Sequence, residues 1–319
     1  MKFTKFLLIA CLLFALNTQK ALACACGCGV FNVGTSALIP NCAGGTAFLQ
    51  YDYINQSRNW NKENKANDAN NSHKQIKTQT VTAGMQYMFN RSWGMAVRLP
   101  YVKRFASDVT HTHMNDEHGE ESHIIKINRS SQKSLGDVRI NAIYSGFSAD
   151  MSSGITFGLK LPTGDYKYSG FGHRDMQIGT GSTDLILGAY NMGQIDAKGK
   201  FNYFAQTSWQ HALVTRNHYR IGDEISAATG VYYNLGSFLQ IKKISPILQI
   251  TGSKRLKDGG INSVSQNSGY SQMFFAPALE LNFGSFKAYA DVGFPFYRNV
   301  NGNQLVADRI YKVILGYNF

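Results

Sequence analysis

The segment Leu305–Phe319 constrains the fold most strongly, because its apolar residues recur at every second position. One set of alternate positions carries Tyr311, Val313, Leu315, Tyr317 and Phe319, and the other carries Lys312, Ile314, Gly316 and Asn318. A period of two is that of a β-strand and not of a helix. Aromatic residues lie near both ends of the apolar face, as they do in strands that cross a bilayer. The segment therefore predicts a membrane-crossing strand.

The same alternation recurs along the chain and predicts about twelve strands, an even number as in bacterial outer-membrane barrels. They lie near residues 45–55, 76–89, 93–104, 135–147, 152–162, 181–192, 200–212, 223–235, 240–254, 271–283, 286–297 and 305–319. The connections alternate between short ones and long ones, the long ones covering residues 57–74, 106–133, 164–180 and 257–270. Short periplasmic turns and longer outer loops are typical of these barrels.

We therefore predict an all-β fold, a transmembrane antiparallel up-and-down β-barrel over residues 45–319 with both termini in the periplasm. The alternative is a soluble β-sandwich, which has no reason to segregate its loop lengths in this way. Closure is required because every backbone amide in hydrocarbon must be paired. The three tryptophans, Trp60, Trp93 and Trp209, are interpreted as anchors at the membrane interface.

Charged residues of both signs are predicted on the inward faces of the strands. They are Asp52, Asp137, Asp184, Glu224, Glu280 and Asp291 beside Arg98, Arg139, Lys160, Lys287 and Lys312. Mixed signs indicate a narrow, ion-paired lumen, since large charge-lined openings usually come with more strands.

Residues 1–23 have the three parts of a secretory signal peptide. Lys2 and Lys5 give a positive start, Phe6–Leu16 is a short apolar core, and Ala21-Leu22-Ala23 is a small-x-small cleavage site. The core is too short to span a membrane as a mature helix. A buried N-terminal helix is the alternative, and Cys24 after the cleavage site also permits lipid attachment.

The net charge of +12 includes three lysines of the predicted signal peptide. Because the basic residues are scattered and form no recognition motif, no nucleic-acid partner is predicted. Outer-membrane lipid, anionic lipopolysaccharide and a small-molecule solute are the expected partners.

Residues 24–44 form an uncharged, cysteine-rich segment ahead of the first strand, expected in the periplasmic mouth or as a plug. It contains Cys24, Cys26, Cys28 and Cys42. An even number of thiols in an oxidising periplasm indicates disulfides. The alternatives are a thiolate site for Cu or Zn and, at Cys24, a lipid anchor.

A second cluster of metal-ligand residue types lies in the predicted outer loop at residues 110–123, THTHMNDEHGEESH. Its histidines are His111, His113, His118 and His123. Neutral imidazoles bind Cu, Zn or Ni, and neighbouring carboxylates could complete a site. An ordinary hydrophilic outer loop is the alternative, and no cofactor is certain.

Two stretches resemble a known family: GLKLPTGDYK at residues 158–167 and GTGSTDLILGAY at residues 179–190. They are similar to the central signature of the outer-membrane proteins of the phenol-degradation meta-pathway family. That resemblance implies a barrel in the outer membrane of a Gram-negative bacterium that passes small hydrophobic or aromatic compounds, and it implies no catalytic residue. The terminal aromatic Phe319 also resembles the signal that the barrel assembly machinery recognises.

The predicted function is therefore a porin-like channel for small solutes. The alternative is a metal-handling barrel that uses the histidine loop outside and the thiols inside. An enzyme is not predicted, because the chain has no G-x-S-x-G elbow and no evident Ser–His pair on a lipid-facing strand.

Overall fold

The computed structural model describes residue 39 and residues 44–67, 73–115, 121–171 and 173–319. Its β-strands are β1 Gly44–Lys62, β2 Asn64–Lys65, β3 His73–Met88, β4 Trp93–Asn115, β5 Glu121–Leu135, β6 Val138–Tyr144, β7 Ser153–Leu161, β8 Thr183–Gln194, β9 Phe201–Val214, β10 Glu224–Tyr233, β11 Lys243–Arg255, β12 Tyr270–Asn282 and β13 Phe286–Asn318. Two short 3-10 turns occupy Arg174–Met176 and Ser265–Asn267. Within these ranges no helix has the length and apolarity that crossing a membrane requires.

The strands form one antiparallel sheet that closes on itself. Each strand of the cylinder pairs with its neighbour in the chain, and β13 pairs with β1 to close the ring. At the seam, Gly45 and Phe319 exchange two backbone hydrogen bonds of 2.8 and 2.9 Å. Closure leaves no edge inside the membrane, as hydrocarbon demands.

The last strand, β13, contributes two antiparallel segments to the barrel wall. Residues 287–300 pair with β12 and residues 303–318 pair with β1, so the chain reverses near Gly302, whose φ is +68°. Of the 13 strands in the sheet, β2 and β5 lie outside the cylinder and 11 form it. Because β13 folds back on itself and contributes two strand segments, the barrel wall consists of 12 strand segments. This confirms the number predicted from alternation.

Alternate residues face lipid and lumen as the C-terminal pattern predicts. Leu315 is 56% exposed and Val313 is 42% exposed, whereas Ile314 between them is 3% exposed and Lys312 is 7% exposed. The predicted inward-facing charged residues are all buried or half-buried. Aromatic residues cluster on the outside at the short-turn end, where the rings of Trp93 and Tyr144 lie 4.8 Å apart. A closed barrel with an apolar outer belt is an outer-membrane protein.

The prediction of an outer loop at residues 106–133 is wrong for most of that range, because β4 and β5 form a two-stranded ribbon there. Tyr101 to Asn115 of β4 pair with Leu135 to Glu121 of β5. On the same edge of β4, Trp93 to Arg98 pair with Tyr144 to Arg139 of β6 within the barrel. Many cross-strand partners here are polar, such as Lys103 with Lys133 and Ser107 with Arg129, and the few apolar residues of the ribbon do not recur at every second position. Hydropathy therefore gives no strand signal in the ribbon.

The prediction that Trp60 is an anchor at the membrane interface is wrong. It packs inward against Tyr270, Val300 and Val306 and lies under the guanidinium of Arg298, whose centre is 5.0 Å from the ring. The pairing of β1 with β13 shifts register twice between Ile54 and Arg58. The second shift adds one residue to β1, so the buried positions, which are even-numbered from Phe48 to Gln56, change to the odd-numbered Asn59 beyond it.

Candidate functional site in the barrel lumen

The lumen near the short-turn end is filled by large apolar side chains from many strands. Phe48, Tyr190, Phe204, Ile247 and Tyr289 belong to one buried cluster, and Phe204 is 0% exposed. Ile39, which precedes the barrel, is 7% exposed and joins the same cluster. Barrel interiors are usually polar, so this apolar filling is a specific property of the chain.

The outer end of the lumen is covered by the loop between β7 and β8, residues 162–182. Phe171 and Met176 of this loop pack against Ile76, Ala106 and Leu305 of the barrel wall. Arg104 anchors the loop by donating hydrogen bonds to the carbonyl oxygens of Met176 and Gln177, at 2.9 and 3.0 Å. The loop therefore folds into the barrel mouth instead of extending from it.

Between the loop and the apolar filling, Lys160 forms ion pairs with two acids. Its Nζ lies 2.6 Å from Asp184 and 3.4 Å from Asp137, and all three side chains are at most 7% exposed. Asp137 also accepts hydrogen bonds from the backbone amides of Gly164 and Thr180, both at 3.0 Å. The buried charges therefore stabilise one another and also hold both ends of the loop.

Two arginines lie beside this triad without an ion pair of their own. Arg98 on β4 and Arg139 on β6 are direct cross-strand partners, and both are half-buried. Among the described residues neither donates a side-chain hydrogen bond, and Arg98 Nε is buried without a partner. The guanidinium of Arg98 lies 5.9 Å from the ring centre of Phe48, at the edge of the apolar cluster. Their free donors face the lumen.

The covering loop also contains a stack of aromatic rings and arginine. The guanidinium of Arg174 lies 4.9 Å from the ring centre of Tyr166 and 5.0 Å from that of Tyr219. Burial lowers the pKa of Arg174 below its ordinary value. A hydrogen bond with Arg216 lowers the pKa of the Tyr166 hydroxyl. The stack links the loop to the connection between β9 and β10.

The predicted metal ligands are only partly placed. His111 and His113 lie in β4 and His123 in β5, with His113 opposite His123 in the backbone register. His118, Cys24, Cys26, Cys28 and Cys42 lie outside the described residues. Among the side chains that the structure describes, no group of three histidine, cysteine or acidic residues is arranged to hold a metal ion.

Alternation identified the inward position of Arg98, Arg139, Lys160, Asp137 and Asp184, but not which of them pair. It also missed the anchoring role of Arg104. The signal was present, because Arg104 continues the inward series of Arg98 at even spacing along β4. Its partners lie 72 and 73 residues away, and strand periodicity says nothing about such contacts.

Comparison with known proteins supports the fold. An outer membrane channel from Pseudomonas putida F1 superimposes with a TM-score of 0.61 at 11% identity, covering 90% of this chain and 100% of that one. The Ralstonia pickettii toluene transporter TbuX gives 0.44 at 9% identity, covering 92% and 96%. The β domain of the Bordetella autotransporter BrkA gives 0.48 at 9% identity, covering 86% and 100%.

No family model matches the chain, and no curated protein sequence matches it. At these identities the first structure shows a shared fold, and the other two lie too far away to support an argument. The resemblance to outer-membrane channels that the sequence predicts is therefore confirmed for the architecture.

Proposed function

We propose that the protein is an outer-membrane channel for small apolar or aromatic solutes. The observation that carries this proposal is the apolar cluster inside the barrel, because a water-filled pore for hydrophilic solutes has a polar lining. A solute that displaces contacts among Phe48, Tyr190 and Phe204 replaces one apolar surface by another. The Pseudomonas putida F1 protein that shares the fold is an outer membrane channel.

The proposal is tested by the uptake of two solutes in Gram-negative cells that assemble the protein. The apolar dye N-phenylnaphthylamine is held back by intact lipopolysaccharide, and we expect the protein to accelerate its entry. Uptake of a hydrophilic sugar such as arabinose is expected to change little. Acceleration of the sugar alone, or of neither solute, would contradict an apolar channel.

A second candidate function, metal binding at the tip of the β4–β5 ribbon, is favoured by its backbone register. His111 and His113 are two residues apart on β4, and His113 is paired with His123 on β5. Strand alternation puts i and i+2 positions on one face, together with the residue directly opposite. Three histidine positions on one face suit a Zn, Cu or Ni site, whether or not His118 or the thiols take part.

Equilibrium dialysis against Zn, Cu and Ni tests the ribbon directly. We expect about one ion per chain, lost in His113→Ala and in His123→Ala. The control is His218→Ala, which changes a histidine in a different outer connection. Unchanged binding in the two ribbon variants would remove the metal-handling alternative.

A further inference from the structure

The pair of arginines at mid-lumen has an unusual electrostatic arrangement. Arg98 and Arg139 are directly opposite each other on neighbouring strands, where like charges repel. Lys160, the next residue across on β7, already uses its charge on Asp137 and Asp184. Within the part of the chain that the structure describes, no carboxylate lies within ion-pair distance of either arginine.

The nearest acids balance the arginines only at longer range. Asp52 acts on Arg98, and Glu224, Asp184 and Asp137 act on Arg139, without contact in each case. Asp184 is committed to Lys160 and Gln210, and Glu224 to Ser226 and Tyr270. The N–H donors of both guanidinium groups therefore remain available to a ligand.

The surroundings of the pair are amphipathic. The guanidinium of Arg98 lies over the ring of Phe48. Phe48 belongs to the same apolar cluster as Ala96 of β4 and Ile143 of β6. Asn141 follows Arg139 on the inward face of β6, and its buried Oδ1 has no partner. A ligand here meets paired donors on one side, an acceptor beside them and aromatic or aliphatic surface below.

We propose that Arg98 and Arg139 bind the carboxylate of a permeating solute, so that the channel prefers small aromatic or other apolar monocarboxylates to neutral compounds of the same size. This inference rests on the channel proposed above and specifies its substrate class. Two guanidinium groups offer the planar, paired donors that a carboxylate accepts best. An anion between them also relieves their mutual repulsion. A neutral hydrocarbon would leave these donors desolvated and unpaired, which is costly.

The test is binding of benzoate and of benzyl alcohol to the folded barrel in detergent, measured by titration calorimetry. We expect Arg98→Gln and Arg139→Gln to weaken benzoate binding by about tenfold or more. Benzyl alcohol has the same ring without the charge, and its binding is expected to stay within about twofold. Arg129→Gln is the matched control, because Arg129 is exposed on the ribbon strand β5. Equal losses for both ligands, or an unchanged affinity for benzoate, would overturn the proposal.

A second pair of variants covers the case in which glutamine prevents assembly. Arg98→Lys and Arg139→Lys keep the charges near Asp52 and Asp184 but lose the planar donors. We expect benzoate affinity to fall severalfold, and wild-type affinity in the double lysine variant would contradict a guanidinium site. Because binding needs no open pore, arginine-dependent binding without dye uptake in cells would refute the channel alone. Dye uptake without arginine-dependent benzoate binding would refute this site alone.

Discussion

The periplasmic part of the lumen is packed with apolar side chains, whereas the middle and outer part is held by ion pairs and hydrogen bonds. Around Phe204 the contacts have no direction, and any apolar molecule of suitable size can replace them. Around Lys160 each contact has a fixed partner, and the same acids hold the covering loop. In the channel proposed above, the outer part would therefore select the solute and the inner part would let it pass.

The largest effect is expected from Lys160→Ala, which leaves Asp137 and Asp184 buried without their shared cation. Removing one partner of a buried ion pair costs about 3–5 kcal/mol. The measurement is the free energy of unfolding in urea of barrel refolded into lipid. Lys198→Ala, in an exposed turn, is the control. A loss below that of the control would mean that charges do not hold the outer part.

Phe204→Ala tests the packed part, where a fully buried ring would be replaced by a cavity. Such substitutions cost about 3–4 kcal/mol when the surroundings do not collapse. The matched control is Phe201→Ala, whose side chain on the same strand is 39% exposed to the lipid side. Equal losses in both variants would contradict the filled lumen.

Shortening the covering loop tests which part limits passage. Asp165 and Gly179 are joined by a backbone hydrogen bond of 2.8 Å, so residues 167–177 can be removed while the loop remains closed. We expect the rate of dye entry to rise by about tenfold, equivalent to about 1.4 kcal/mol off the barrier. An unchanged rate in a fully assembled variant would place the limiting step in the apolar part.

The smallest effect is expected from Arg58→Gln, which breaks the ion pair between Arg58 and Asp308 on the outside of the barrel. The two atoms are 3.0 Å apart, but the side chains are 60% and 57% exposed. Solvent screening limits such pairs to about 0–1 kcal/mol. A loss comparable to that of Lys160→Ala would erase the distinction between buried and exposed charges.

The sequence predicts most of the barrel because the membrane imposes a period of two on every crossing. The odd-numbered residues of 155–161 and 311–319 face lipid as that period requires. Leu159, for example, is 41% exposed, whereas Lys160 beside it is 2% exposed. The ribbon and the bulged part of β1 escaped prediction, because alternation carries no signal above the bilayer and fails across a register shift. The site is predictable only in part. Periodicity identifies Arg98 and Arg139 as inward-facing, but their lack of partners depends on loop contacts from distant residues.

The seam between β1 and β13 joins residues that are far apart in the chain, since Thr46 and Asn318 are hydrogen-bonded across 272 positions. Each hairpin of the barrel wall forms between residues that are close in the chain. The ring is complete only when the first strand segment pairs with the twelfth. The seam is therefore expected to close after the local hairpins have formed, and closure is cooperative because an open edge would leave backbone amides unpaired in hydrocarbon. A substitution at Gly45, where an added Cβ would clash with the Phe319 ring, is thus expected to impair assembly of the barrel before it affects transport.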